Sequence, residues 1–218
     1  MTSSLKVGVL ISGRGSNLQA LIDACKTANF PARIVLVISN NPDAAGLGRA
    51  EAAGIATAVI DHRDYPDRRS FDDALDGSLR AAGVDTVCLA GFMRLLTAAF
   101  LDGWHNRVLN VHPSLLPAFK GMHAQRDAIE AGVKLAGCTV HVVRPEMDSG
   151  PIIAQAAVPV LAGDDENTLA ARILEMEHVI YPLALRLIAE GRVTIAGTVA
   201  DTAGAAPAPS ALINPSGQ

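Results

Sequence analysis

Lys6-Val7-Gly8-Val9-Leu10-Ile11 runs directly into Ser12-Gly13-Arg14-Gly15-Ser16-Asn17, and a helical pattern follows over Ser16–Lys26. The first six residues are almost all apolar, which suits a strand buried on both faces. Leu18, Leu21 and Ile22 then fall on one face of a helix. Between them, two glycines let the backbone turn sharply and approach a ligand. The same alternation continues outward. Arg33–Ile38 reads as a strand, Ala44–Ala53 as a helix, Ile55–Ile60 as a strand and Arg69–Ala82 as a helix. Thr86–Ala90 and Arg107–Val111 are further strands. Strands alternating with helices predict βαβ units and an α/β fold with a mainly parallel sheet.

The pattern changes in the second half. Ala124–Ala131 reads as a helix. Gly137–Val143 and Pro151–Val160 read as strands joined by the turn-forming segment Arg144–Gly150, an antiparallel hairpin with a long loop. Thr168–Glu190 is a long helical pattern, with a bend expected at Pro182. From Gly197 to Gln218 the chain is rich in Ala, Pro, Gly, Ser and Thr and offers little to bury, which predicts a folded domain over 1–196 and a flexible tail over 197–218.

Composition narrows the classes of function. The chain has 218 residues, half of them apolar, enough for one domain with a sizeable core. A formal charge of −4 argues against a nucleic-acid or anionic-membrane surface. No signal region and no run of transmembrane length is present, so a cytoplasmic location is expected. Three widely spaced cysteines, Cys25, Cys88 and Cys138, suit neither a disulfide frame nor a zinc site. Cys88, inside Val87-Cys88-Leu89, reads as a small buried hydrophobe.

Four stretches carry candidate chemistry. In Ser12–Asn17, the start of a helix offers N–H groups to a phosphate; the alternative is a plain tight turn with Ser16 as a cap. It is not a dinucleotide fingerprint, because the third glycine position is Leu18 and the second strand ends in Ser39-Asn40-Asn41 without an acid. Nor does Gly-Lys-Ser/Thr follow, as a P-loop requires. In Leu89-Ala90-Gly91-Phe92-Met93-Arg94-Leu95-Leu96, Gly91 permits a turn at the sheet edge. Met93, Leu95 and Leu96 either wall a pocket for a flat apolar ring or pack the core. In Asn110-Val111-His112-Pro113-Ser114-Leu115-Leu116-Pro117, alternation places Asn110 and His112 on one side of a strand that Pro113 ends. An amide and an imidazole there suit stabilisation of an oxyanion, as acyl transfer needs; a structural histidine is the alternative. Asp148, in Glu146-Met147-Asp148-Ser149-Gly150-Pro151, is either a turn residue or a carboxylate that pairs with His112. The remaining histidines show no metal-ligand spacing, so no metal is expected.

Together these stretches resemble the folate-dependent formyltransferases. Gly121-Met122-His123, Gly137-Cys138-Thr139-Val140-His141, Asp148-Ser149-Gly150-Pro151-Ile152-Ile153 and Glu177-His178-Val179-Ile180-Tyr181-Pro182 extend the resemblance over residues 5–195. It implies a Rossmann-like mixed sheet, mainly parallel, flanked by helices. It implies transfer of a formyl group from 10-formyltetrahydrofolate, as co-substrate, to the amine of glycinamide ribonucleotide. Gly15, Ser16 and Asn17 would hold the phosphate, with Pro113 and Glu177 touching the rest of that substrate. Arg68, Met93, Arg94, Leu95, Leu96, Asn110, Val143, Arg144, Pro145, Glu146, Met147 and Asp148 would bind the folate. Asn110, His112 and Asp148 match the catalytic trio. His123 and His141 match positions near the site without an assigned step. Arg14 and Ala118-Phe119-Lys120 fall where the family varies, and Lys120 would add charge near the phosphate. The partners implied are these two small molecules, with no nucleic acid and no membrane; a homodimer is compatible.

Rival readings remain. A formyltetrahydrofolate deformylase shares the trio but carries an extra N-terminal domain, for which a first strand at Lys6 leaves no room. A methionyl-tRNA formyltransferase would add a C-terminal RNA-binding domain and a more basic surface. A folate or nucleotide sensor would not need all three of Asn110, His112 and Asp148.

Overall fold

The computed structural model describes residues 4–204 and 214. Its strands are β1 (Leu5–Ile11), β2 (Ala32–Ser39), β3 (Thr57–Val59), β4 (Thr86–Leu89), β5 (Val108–His112), β6 (Leu135–Val142), β7 (Ile152–Pro159), β8 (Val193–Ala196) and β9 (Val199–Thr202). Its helices are α1 (Ser16–Cys25), α2 (Ala45–Ala52), α3 (Arg68–Ala81), α4 (Ala98–Gly103), α5 (Ala124–Glu130) and α6 (Glu166–Ala189). The first seven strands form one mixed sheet in the order β3-β2-β1-β4-β5-β6-β7. Parallel pairs join β1 to β2 and β4, β2 to β3, and β4 to β5. β6 and β7 pair antiparallel, as the turn-rich segment between them predicts.

The chain divides into two compact units. One holds the chain up to Asn110 together with Val142–Pro145; the other holds Val111–His141 and the chain from Glu146 on. In the first unit, all four residues of β4 and the last five of β1 are buried. This is why both read as unbroken apolar runs rather than alternating ones. α3 lays Phe71, Leu75 and Leu79, at helical spacing, into a core with Leu10, Ile38, Val87, Phe92 and Trp104. Asp67 caps α3 by accepting the Ser70 N–H at 2.8 Å, and Gly83 follows its end at φ 66°.

In the second unit, α6 buries Leu169, Ile173, Ile180, Tyr181 and Leu185. Asp165 and Thr168 form a reciprocal capping box at its start. The predicted bend at Pro182 does not interrupt the helix, which continues to Ala189. The predicted boundary at 196 falls inside a hairpin: β8 pairs antiparallel with β9, so Val199–Thr202 of the expected tail is strand. Its side chains alternate between exposed and half-buried, so no apolar run marks it in the sequence. Most of the remaining tail, residues 205–213 and 215–218, lies outside the described residues.

Candidate active site

In the first unit, the ends of two parallel strands carry two of the predicted loops. Ligands bind at such carboxyl ends in open α/β sheets. β1 exits into Ser12–Asn17, where Gly15 adopts φ 71° and serves as the N-cap of α1. This corrects the expected cap: Ser16 is the first helical residue, and no side chain caps the helix. Glycine takes the left-handed conformation at no steric cost, so the chain turns at Gly15. The first N–H groups of a helix have no acceptor within it, so Ser16 and Asn17 stand where an anion is best received. α2 braces this loop. The Gly46 N–H donates to Gly13 O at 3.0 Å, and Arg49 Nε donates to Arg14 O at 3.0 Å.

β4 exits into 91–97, where Gly91 turns at φ 71°. The two alternatives for this stretch divide by residue. Phe92 and Leu96 join the core, with the Phe92 ring stacked on Phe71 at 6.5 Å between centroids. Met93 and Leu95 are 73% and 55% exposed, leaving apolar surface for a ligand. The Arg94 guanidinium lies 5.3 Å from the Phe71 ring centre. Asp72, from α3, accepts the Thr97 N–H at 2.6 Å and anchors the far end of the segment. Burial pushes the Asp72 carboxyl above its usual range, opposed by the Thr97 hydrogen bonds and the charges of Arg68 and Arg94. Arg68 opens α3. Val143 donates its N–H to Val108 O at 2.8 Å, and Arg144 donates to Asn106 Oδ1. Pro145 closes this unit's return segment.

Asn110 and His112 both lie on β5, two residues apart, and the strand ends at His112 as Pro113 predicts. In the second unit, His112 is 5% exposed, and both its ring nitrogens meet oxygen. Nε2 lies 2.9 Å from Phe119 O and Nδ1 lies 3.4 Å from Asp148 Oδ2. A ring that faces an acceptor at each nitrogen donates to both only as imidazolium. Asp148 therefore meets His112, which spacing in the sequence could not show. Asp148 takes φ 50°, in the left-handed region that Asp tolerates better than most residues. Its Oδ2 also accepts the Gly121 N–H at 3.0 Å, and its Oδ1 lies 3.7 Å from His141 Nε2.

One residue that the resemblance placed near the site finds its partner here, and two backbone groups go beyond the sequence reading. His141, buried on β6, adds a second imidazole beside Asp148, and Phe119 and Gly121 contribute backbone groups. Register alone could have pointed to His141, since alternate β6 side chains share a face; the backbone partners leave no trace in residue type. The stretch after His112 is tied to the β6–β7 hairpin. Thr139 Oγ1 donates to Ser114 O at 2.7 Å and accepts the Leu116 N–H at 3.1 Å, and Gln155 Nε2 donates to Leu116 O at 3.0 Å.

Glu177 is buried on α6, and its charge, after burial, helps push the Cys138 thiol up to about 12. Pro113 follows β5 directly. Glu146 and the half-exposed Met147 lead into Asp148, and Ser149 Oγ closes their turn on Glu146 O at 2.8 Å. Among the described residues, no three His, Cys, Asp or Glu side chains are grouped to hold a metal ion.

Comparison with known proteins identifies the family. A family model described as formyl transferase matches residues 5–185. The chain is 47% identical over 188 residues to the phosphoribosylglycinamide formyltransferase of Escherichia coli K12, covering 86% of this chain and 89% of that protein. It is 51% identical over 194 residues to the trifunctional purine biosynthetic protein adenosine-3 of Gallus gallus, covering 89% of this chain. The chain spans only 19% of the length of that larger relative. Among solved structures, glycinamide ribonucleotide transformylase 1 from Symbiobacterium toebii superposes with a TM-score of 0.91 at 53% identity, over 93% of this chain and 95% of that one. A formyltetrahydrofolate deformylase from Pseudomonas syringae also superposes, with a TM-score of 0.86 at 26% identity, over 92% of this chain and 66% of that one.

Proposed function

The chain belongs to the formyl transferase family, and from that premise we propose that it transfers the formyl group of 10-formyltetrahydrofolate to the amine of glycinamide ribonucleotide, a step of purine biosynthesis. The observation that carries the reading is the 3.4 Å approach of Asp148 to His112, whose strand also bears Asn110. The substrate amine attacks the formyl carbon attached to folate N10, and the carbonyl oxygen gains negative charge. Asn110 donates to that oxygen through its amide, and His112 donates as imidazolium. Removing one such donor typically costs ~3–4 kcal/mol of transition-state stabilisation.

In this structure His112 Nε2 faces Phe119 O. Donation to the oxyanion from that nitrogen requires the carbonyl to yield its place. Asp148, 3.4 Å from His112 Nδ1, orients the imidazole and relays the proton that the amine gives up. Protonation of N10 releases tetrahydrofolate. Gly15, Ser16 and Asn17 bind the phosphate, while Pro113 and Glu177 contact the rest of the ribonucleotide. The folate rests on Arg68, Met93, Arg94, Leu95, Leu96 and residues 143–148. The reaction runs in the cytoplasm and needs no metal and no covalent enzyme intermediate.

A second reading has a specific observation behind it, the similarity to a deformylase, in which water would replace the amine. The Ser12–Asn17 loop favours the transferase, since water needs no phosphate site. The deciding experiment incubates the protein with 10-formyltetrahydrofolate and follows tetrahydrofolate release with and without glycinamide ribonucleotide. Release that requires the ribonucleotide, with a formylated product, is the expected result. Equal release without it, with formate as product, overturns the transferase reading.

A further inference from the structure

Ser12 stands at the root of the phosphate loop, yet the proposed reaction gives it no part. Its hydroxyl nevertheless makes two hydrogen bonds. Ser12 Oγ donates to Asn40 Oδ1 at 2.6 Å and accepts the Met93 N–H at 2.8 Å. Its backbone N–H donates to Gly91 O at 3.2 Å. One residue thus holds both ends of the three-residue turn by which the chain leaves β4. Asn40 is buried at the end of β2 and is itself held, with its N–H on Ile11 O at 3.4 Å and Nδ2 at 3.3 Å from His62 Nδ1. The acceptor that orients the Ser12 hydroxyl is therefore fixed. The oriented hydroxyl in turn fixes the Met93 amide.

We propose that Ser12 is a positioning residue for the formyl-folate: through the Met93 N–H it sets the 91–93 turn on which that co-substrate rests. The inference rests on the proposed function for its assignment of the folate surface. Met93 has a highly exposed side chain, so little packing holds it. Its backbone depends on Ser12 more than Phe92 or Leu96 do, since both are locked in the core. The phosphate loop does not share this dependence, because Gly46 and Arg49 hold Gly13 and Arg14 independently. Loss of the hydroxyl should therefore act on one substrate and spare the other, a split that general loosening would not produce.

The test compares wild type with Ser12→Ala and Ser12→Thr, reading KM for each substrate, kcat and Tm, together with direct calorimetric binding of 10-formyltetrahydrofolate. Ser12→Ala should raise the folate KM and Kd about tenfold, the order expected for one lost hydrogen bond. The ribonucleotide KM and kcat should stay within about threefold. Ser12→Thr keeps the oxygen and should recover most of the folate affinity. Unchanged folate KM and Kd in Ser12→Ala overturn the proposal. So do parallel losses for both substrates, and so does a threonine variant no better than alanine. Should the wild type prove to be a deformylase, the transferase reading falls, while folate KM in hydrolysis and calorimetric Kd still decide the role of Ser12.

Discussion

At the scale of single residues, the candidate site is a balance of acceptors around one imidazole. His112 faces Phe119 O and Asp148, and Asp148 is shared with the Gly121 N–H and His141. Asn110→Ala and His112→Ala should each lower kcat about 10²–10³-fold while leaving ribonucleotide and folate binding largely intact, read by steady-state kinetics alongside calorimetry. Turnover that survives either change would leave the oxyanion role without support. That Asn110 and His112 share a strand ending at His112 was legible, because strand alternation and a terminating proline are local properties of the chain. The contact with Asp148 was not, because it joins the end of β5 to a turn beyond the β6 strand. His141 was named only through the family resemblance, and its place beside Asp148 was hidden for a related reason: a buried strand histidine reads as core until its partner is seen.

At the scale of elements, two glycines mark where the backbone has no room for a side chain. A Cβ on Gly15 would lie 2.7 Å from Gly46 Cα, and φ of 71° there disfavours any other residue. Gly15→Ala should push α2 away from the phosphate loop and raise the ribonucleotide KM more than the folate KM. A Cβ on Gly137 would lie 2.0 Å from Ala156 O, in the partner strand of the β6–β7 hairpin. Gly137→Ala should destabilise the fold by at least about 2 kcal/mol, seen as a lower midpoint in urea.

The β7–α6 connection makes a pH-dependent prediction. Asp164 receives two hydrogen bonds from Arg172, at 2.7 and 2.9 Å, and the Leu161 N–H at 2.7 Å. The Arg172 hydrogen bond, then that of Leu161, lowers the Asp164 carboxyl far below its usual range. A depressed folded-state value means that this stabilisation is complete above the unfolded value near ~4 and fades as pH falls below it. Asp164→Asn should therefore lower Tm at pH 7, with the gap to wild type narrowing steadily below about pH 4. A gap independent of pH would show that charge is not what holds the connection. Most element boundaries were readable within a few residues, because apolar periodicity and cap residues are local. The short helix α4 and the strands β8 and β9 were not, since none carries a sustained apolar stripe.

At the scale of the whole molecule, thiol chemistry reports the integrity of the fold. Cys88 and Cys138 are buried and Cys25 is half-buried, and none of the three forms a disulfide. Burial pushes Cys25 up to about 11 and Cys138 up to about 12. The thiolate is the reactive form, so a disulfide reagent at pH 8 should label native protein slowly and label all three cysteines at once in denaturant. Rapid labelling of the native protein would contradict the burial described. No helix among the described residues is long and apolar enough to cross a membrane.

The sequence by itself determined the α/β class, the alternation of strands and helices, the glycine-rich exit from β1, the placing of Asn110 and His112 on one strand and the family resemblance. Each follows from steric and hydrophobic preferences acting over a few neighbouring residues, or from motifs that stay in order along the chain. Only the tertiary structure decided that Asp148 meets His112, that Leu96 packs while Met93 stays exposed, and that the Ser12 hydroxyl is clamped between Asn40 and Met93. These are contacts between distant segments. Strand pairing and core packing set them jointly, so no single stretch of sequence encodes any one of them.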